Sequence, residues 1–224
     1  MAGNAEAVEL SAVASTLAEA DLGRPSPCPP WTVGDLFCHV LIAVGRIAEV
    51  LAEPANGTAE AALIRTRDYY RRDQRFAAAT NADRIETARA LSARLRSATA
   101  ISAELTRRWQ DAARLLTAAP PDQVIRTRHG DRMLLADFAC TRIVELGVHG
   151  LDLAAGLDLQ PWLTDQAADV LEDLLLPAGG AAVLQAQLGC DRPGLVARLT
   201  GRAELSPTET ALIRDAGAAR LALG

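Results

Sequence analysis

The chain has 224 residues, half of them hydrophobic, and a formal net charge of −5 at pH 7. This length is enough for one domain with an extension around a real core, and the hydrophobic content excludes a wholly disordered chain. The negative charge argues against a nucleic-acid-binding protein, and the absence of an apolar run of roughly 18 residues argues against a membrane span.

The first predicted element is a helix over about residues 4–22, where apolar residues recur every three or four positions. This segment lacks the basic start of a signal peptide, so we expect a cytoplasmic protein. The proline-rich residues 23–30 end the helix, and Thr32 is a good N-cap for a second helix that runs to about Glu53. The residues Pro54–Gly57 form the next break.

The middle of the chain is also predicted to be mainly helical. A third helical stretch, over about residues 58–80, precedes a long helix over about residues 82–117. Residues 122–134 alternate valine, isoleucine, arginine and glycine, which predicts either a short extended piece or a hairpin. The next helix spans about residues 134–155, with Gly156 as its carboxy-terminal cap.

The last part of the chain is predicted to form three shorter helices. Thr164 is the expected N-cap of the first, and Ser206 with Glu209 forms a capping box at the start of the last. Long helices with short connections predict an all-α protein. We expect an up-and-down four-helix bundle over residues 1–158, with a short helical extension over residues 159–224 packed on it. The 4 cysteines form no CxxC pair, and most are expected to be buried thiols.

A polar stripe crosses the apolar helix predicted at residues 134–155. Glu145 and His149 are four residues apart, so they project from one face on successive turns. His39 lies in the middle of the second helix, where a bundle would let it face this pair. Two histidines and a glutamate suit a divalent metal and leave the fourth position of a tetrahedral zinc open. From these residues alone, a metal site and a hydrogen-bonded core or surface pair are equally good interpretations.

Other polar residues can assist such a site or belong to a solvated surface. Arg142 and Asp152 lie on the same stripe and could orient the ligands or bind an anionic substrate. Asp35 is one turn before His39 and could hold its second ring nitrogen, although the charge of a helix amino terminus explains it equally well. His129 lies on the predicted loop beside the ligand helix, either at the entrance of the site or on plain surface.

Two segments resemble the mycothiol-dependent maleylpyruvate isomerase family, metalloenzymes of the DinB-like four-helix-bundle superfamily. The segment SPCPPWTVGDLFCHVLIAVGRIAEVL carries the family's proline-rich turn, tryptophan, Asp-Leu pair and histidine. The segment RIVELGVHGLDLAAGL carries its arginine, glutamate, histidine and aspartate at the family spacing. The resemblance implies that His39, Glu145 and His149 bind a metal, typically zinc (Zn2+), and it names no catalytic residue beyond these ligands.

The resemblance also implies a cosubstrate and a reaction class. The family uses a low-molecular-weight thiol, usually mycothiol in actinobacteria, and the 23 basic residues, all arginine, fit a GC-rich bacterial source. We therefore expect a metal-dependent enzyme whose thiolate attacks a small electrophilic substrate, as an S-transferase or a cis–trans isomerase. Arg84 is the nearest candidate for the arginine with which family isomerases bind a dicarboxylate. The alternative is a non-catalytic helical binding protein with a buried polar network. Either protein would be a monomer or a homodimer.

Overall fold

A computed structural model describes residues 2–52, 62–71, 73 and 76–221 of the chain. The α-helices within these residues are α1 (Ala2–Thr16), α2 (Val33–Ala52), α3 (Ala78–Leu95), α4 (Ala98–Ala118), α5 (Leu135–Leu157), α6 (Asp165–Leu175), α7 (Gly180–Leu188), α8 (Arg192–Leu199) and α9 (Pro207–Asp215). A small sheet consists of the strands β1 (Leu63–Ile64), β2 (Val124–Arg126) and β3 (Arg132–Leu134). Short 3-10 helices cover Glu19–Gly23 and Thr66–Tyr70. Among the described helices, none combines the length and hydropathy of a membrane span.

Four long helices form a bundle around the main hydrophobic core. Contacts link α1 to α4, α4 to α2, α2 to α5 and α5 back to α1, which closes a ring, and α3 packs against α2. Each helix of the ring contributes a fully buried side chain to this core: Leu10, Phe37, Ile101 and Leu146. The predicted all-α class, a helical bundle with a helical carboxy-terminal extension, is confirmed.

The ligand-bearing helix α5 belongs to two hydrophobic clusters at once. Its residues Val144, Val148 and Leu151 turn away from the bundle core and pack with buried side chains of the carboxy-terminal helices, including Leu171 and Leu195. Burying one such aliphatic side chain contributes about 1.5–3 kcal/mol, so this second cluster holds the extension firmly on α5. The boundary between bundle and extension near residue 158 stays a prediction.

The first helix is shorter than predicted. It ends at Thr16, because Ala18 has an extended backbone and its N–H donates to the carboxylate of Asp21, which begins a 3-10 turn. The second helix is described to Ala52. Its predicted end at Glu53 and the break predicted at residues 54–57 lie outside the described residues.

The prediction of a third helical stretch over residues 58–80 is wrong for most of its described residues, and only residues 78–80 are α-helical, as the start of α3. Residues 63–64 form β1, which pairs in parallel with β3, and a 3-10 helix follows. The hydroxyl of Thr66 donates to Oδ1 of Asp137 at 2.9 Å, so tertiary contacts replace the helical ones. The start of this stretch, before residue 62, lies outside the described residues.

Two further helix ends differ from the prediction. The single helix expected over residues 82–117 is divided, because Arg96 adopts a left-handed backbone (φ 58°) and the hydroxyl of Ser97 accepts a backbone N–H of the first turn of α4. Gly156 lies inside α5 rather than capping it, and Asp158 is the left-handed cap (φ 57°). A side chain at position 156 would stand 3.3 Å from the backbone oxygen of Pro25, so the glycine permits a close approach.

The predicted hairpin and two predicted N-caps are present, and the structure has one additional helix. The hairpin is confirmed, because β2 and β3 pair antiparallel. The N-caps at Thr164 and Ser206 are confirmed, the second with the predicted Glu209 capping box. The helix α7, over Gly180–Leu188, was not predicted, and its sequence has only weak amphipathic character.

Glu6 joins the amino-terminal helix to the carboxy-terminal ones. Its side chain is fully buried, and Oε2 accepts hydrogen bonds from the backbone N–H and the hydroxyl of Thr164, at 2.9 and 2.8 Å. Burial raises the pKa of Glu6 above its ordinary value of 4.5, although the hydrogen bonds from Thr164 oppose this rise.

We expect Glu6→Gln to remove a pH dependence of the folding stability. Because the folded-state pKa is raised, the stabilisation from protonated Glu6 is complete below pH 4.5 and is lost as the pH rises through the folded pKa. As the pH rises above 4.5, the urea midpoint of the wild type should therefore fall more steeply than that of Glu6→Gln. Glu86→Gln, at an exposed position of α3, is the control that should keep the wild-type slope. Equal slopes in all three proteins would contradict the prediction.

Candidate metal centre

Three polar side chains converge between α2 and α5. Nε2 of His39 lies 3.3 Å from Oε2 of Glu145, and Nε2 of His149 lies 3.4 Å from the same oxygen. The ligand atoms of all three residues lie within 4.8 Å of one another. Helix geometry explains the arrangement, because Glu145 and His149 occupy successive turns of α5 and α2 packs against that helix.

The spacing of these atoms suits a divalent transition metal. Ligands that lie about 2.0–2.1 Å from a tetrahedral zinc are about 3.3–3.4 Å apart, from the tetrahedral angle. The two nitrogen–oxygen separations at Glu145 are 3.3 and 3.4 Å. Two imidazoles and one carboxylate leave one coordination position open for water or a substrate. The donor set therefore fits a catalytic type of metal site better than a closed structural one.

Asp152 contacts Nδ1 of His149, the ring nitrogen on the side away from Glu145. Its Oδ2 lies 2.9 Å from Nδ1 of His149, an arrangement that favours a proton on Nδ1 and orients Nε2 toward Glu145. Two side chains that the sequence reasoning missed also bind Asp152. Nε and Nη2 of Arg202 donate to its two oxygens at 3.1 and 3.0 Å, and the thiol of Cys28 donates to Oδ2 at 3.3 Å.

Cys28, His149 and Asp152 form a second group of potential metal ligands. The guanidinium of Arg202 already bonds to both oxygens of Asp152, so a cation held there would lie beside another positive charge. We therefore interpret this group as support for the first one and not as a second metal site.

Hydrogen bonds and burial set the protonation of the converging groups. Burial alone would lower the pKa of His149, but hydrogen bonds, that with Asp152 foremost, raise it well above its ordinary value. Burial lowers the pKa of His39. Burial opposes ionisation of Glu145, but the hydrogen bonds from the two histidines and the charge of Arg142 hold its pKa well below the ordinary value. These shifts favour an ionised Glu145 beside a protonated His149.

Trp31 and Asp35 flank His39 in different ways. The indole of Trp31 stacks on the imidazole, with ring centroids 4.6 Å apart and 28° between the planes. Asp35 lies in the first turn of α2. Its Oδ2 accepts the backbone N–H of Thr32 at 3.2 Å and lies 3.8 Å from Nε of Arg89. These contacts lie at the amino terminus of α2, where the alternative interpretation of Asp35, by the charge of the helix end, also places it.

A cavity of about 840 Å³ opens onto the converging groups. Its walls include the proline-rich turn before α2, part of α3, the hairpin tip, the polar stripe of α5 and the segment after α8. This volume suits a small-molecule ligand. Arg84 and His129, which the sequence reasoning named as candidates, both line the cavity, as do Arg142 and Asp152.

Arg142 brings a buried positive charge to the cavity wall. Its guanidinium lies 4.6 Å from the ring centroid of Phe138 and 5.4 Å from that of Tyr69, and Nη1 donates to the backbone oxygen of Ala43 at 3.3 Å. Among the described residues, Nη2 has no hydrogen-bond partner. A buried guanidinium in the cavity wall adds a positive charge that favours an anionic ligand.

Arg84 and Arg128 also line this cavity. Nη1 of Arg84 donates to Oδ1 of Asn81 at 2.7 Å, and its guanidinium lies 5.5 Å from the ring centroid of Phe76. The pKa of Arg128 is lowered, first by burial and then by the positive charge of Arg84. The cavity therefore combines a candidate metal centre with positive side chains that favour an anion.

One of three comparisons with known proteins finds a match. The family model for the mycothiol maleylpyruvate isomerase N-terminal domain matches residues 4–154, which include all three converging side chains and the polar stripe. Searches of curated proteins and of solved structures find no match. The match extends over more than half of the chain and over the DinB-like helical bundle. The chain therefore belongs to the mycothiol maleylpyruvate isomerase N-terminal domain family.

Proposed function

We propose that the protein is a metal-dependent enzyme in which a low-molecular-weight thiol, mycothiol, attacks a small electrophilic substrate. The observation that carries the proposal is the convergence of His39, Glu145 and His149 on a cavity of small-molecule size. Membership of a family named for a mycothiol enzyme supports the choice of thiol. Two imidazoles and one carboxylate form a donor set that catalytic zinc sites use, and zinc is the metal that the family resemblance implies. The proposal includes a cytoplasmic location and a monomer or homodimer.

In this proposal His39, Glu145 and His149 would hold the metal. A bound zinc ion would lower the pKa of a thiol enough to provide a thiolate at neutral pH. Asp152 keeps the proton of His149 on Nδ1, so that Nε2 is available as a ligand. Trp31 restricts the ring of His39 by stacking on it.

The thiolate then forms a carbon–sulfur bond with the substrate. In an S-transferase this bond is retained in the product, and either a leaving group departs with its bonding electrons or the π electrons of an attacked double bond take up a proton. In an isomerase the thiolate adds to a double bond, the resulting single bond rotates, and elimination restores the double bond and the thiol. Arg84 and Arg142 would attract the carboxylates of an anionic electrophile, since both guanidinium groups line the cavity.

Binding of mycothiol to the cobalt-substituted protein tests this function. We expect a sulfur-to-cobalt charge-transfer band when mycothiol is added, because a thiolate would occupy the open coordination position. The S-methyl derivative of mycothiol should give no such band, since it forms no thiolate. Protein that is made with zinc present and still contains no divalent metal would contradict the catalytic proposal and favour a non-catalytic binding protein.

A second assay separates the two activities. The metal-loaded protein is incubated with mycothiol and maleylpyruvate, and the formation of fumarylpyruvate is followed. Turnover would identify an isomerase. Binding of mycothiol without turnover would favour an S-transferase or a different electrophile.

A further inference from the structure

Arg202 extends from the carboxy-terminal part of the chain to Asp152, beside the candidate metal centre. It follows α8, where Gly201 has a left-handed backbone (φ +79°) and the N–H of Arg202 donates to the backbone oxygen of Ala197 at 2.7 Å. Its Nη1 donates to the backbone oxygen of Thr200 at 2.7 Å, while Nε and Nη2 bind the two oxygens of Asp152. The guanidinium is therefore held by the backbone oxygen of Thr200 and by a paired hydrogen bond to the carboxylate of Asp152.

Asp152 connects Arg202 to His149, one of the three candidate metal ligands. The residue is 2% exposed, and its Oδ2 accepts from Nη2 of Arg202 at 3.0 Å and from Nδ1 of His149 at 2.9 Å. A buried carboxylate that loses a paired guanidinium is strongly destabilised and tends to move or take up a proton. Either change would disturb the hydrogen bond that orients His149.

We propose that Arg202 is a positioning residue of the metal centre. Through Asp152 it holds His149 in the orientation and tautomer that metal binding needs, so the helical extension completes a centre whose ligands all lie in the bundle. This inference rests on the proposed function, since it requires a metal at His39, Glu145 and His149.

Arg202 lies outside the segment that the family model matches. The match ends at residue 154, so the matched segment contains the candidate ligands and Asp152 but not the guanidinium that binds Asp152. By linkage, a metal in the centre and the docked extension should stabilise each other.

Metal affinity of the full chain, measured by competition with a chromophoric chelator, tests the role of Arg202. We expect Arg202→Gln to bind zinc about 10-fold more weakly, at the lower end of the loss that outer partners of metal ligands cause. Arg198→Gln is the matched control, because Arg198 pairs with Glu209 at 3.0 Å on the neighbouring helices and does not touch Asp152. Its affinity should equal that of the wild type. The visible spectrum of the cobalt-substituted Arg202→Gln protein should also change, which a purely structural role would not cause.

A double-mutant cycle then assigns the effect to Asp152. In an Asp152→Asn background, Arg202→Gln should cause no further loss of affinity, because the carboxylate that relays the effect is gone. The inference is overturned if Arg202→Gln binds zinc as tightly as Arg198→Gln. It is also overturned if Arg202→Gln weakens zinc binding by the same factor in the Asp152→Asn background as in the wild type.

A second variant, Arg202→Lys, tests the same role of Arg202 if the first variant does not fold. If melting curves show that Arg202→Gln does not fold, Arg202→Lys takes its place, since lysine keeps the charge but loses the paired geometry. Its affinity should be several-fold lower than that of the wild type, and wild-type affinity would overturn the inference. A wild-type protein that binds no metal would overturn the proposed function as well, whereas wild-type binding with unchanged Arg202 variants would overturn this inference alone.

Discussion

The substitution His149→Ala is expected to leave the purified protein without metal. His149 supplies one of three proposed ligands, and its Nε2 lies 3.4 Å from Oε2 of Glu145. Loss of an outer partner already costs about 10–100-fold in metal affinity, so we expect loss of a direct ligand to cost more than about 100-fold. Elemental analysis after gel filtration should show about one zinc per wild-type chain and almost none in the variant.

His129→Ala is the matched control, because it removes an imidazole that lines the same cavity from the β2–β3 hairpin. His129 is outside the group of converging ligand atoms, so its removal should leave the zinc content unchanged. Stoichiometric zinc in His149→Ala, or an equal loss in both variants, would contradict the assignment. Circular dichroism of each variant excludes unfolding as the cause.

Removal of the metal is expected to lower the melting temperature by about 8–16 °C. A ligand present at a thousand times its dissociation constant stabilises the native state by about 4.1 kcal/mol, and 1 kcal/mol shifts the melting temperature of a chain of this size by about 2–4 °C. The stabilisation should be of this order because the ligands join α2 to α5. Scanning fluorimetry with excess zinc and then with a chelator measures the shift.

The same chelator should not change the melting temperature of His149→Ala, which serves as the control. Adding zinc back after chelation should restore the wild-type value, and magnesium should not, since Mg2+ prefers oxygen ligands. An identical melting temperature of the wild type with zinc and with chelator would contradict the prediction.

The convergence of the candidate ligands could be anticipated because it depends on helical spacing. Glu145 and His149 are four residues apart, and an all-α bundle places α2 beside α5. That these residues bind a metal stays a prediction. Cys28 and Arg202 could not be found in this way, because they lie 124 and 50 residues from Asp152 in segments without periodicity. Their contact with Asp152 arises only from the tertiary fold.

The fold departs from the sequence prediction where distant contacts override a local pattern. Leu63 is in a strand because it pairs with Arg132, a partner that no local window includes. The long alanine-rich segment contains a break at Arg96, and the only local sign of it is that Ser97 is a good N-cap. The regular parts of α2 and α5 were predictable because their apolar residues repeat at the helical period.

The distant partners of α1 affect how the chain can fold during synthesis. The hydroxyl of Ser11 bonds with the side chains of Ser102 and Thr106, and Glu6 bonds with Thr164, so the partners of the helix are made much later. Until α4 leaves the ribosome, the stripe of Leu10 and Ala14 has no bundle to cover it, and exposed apolar surface favours chaperone binding or aggregation. The helix α1 is thus made well before the residues that cover it, and a pause in translation before α4 would lengthen the time for which that stripe is exposed.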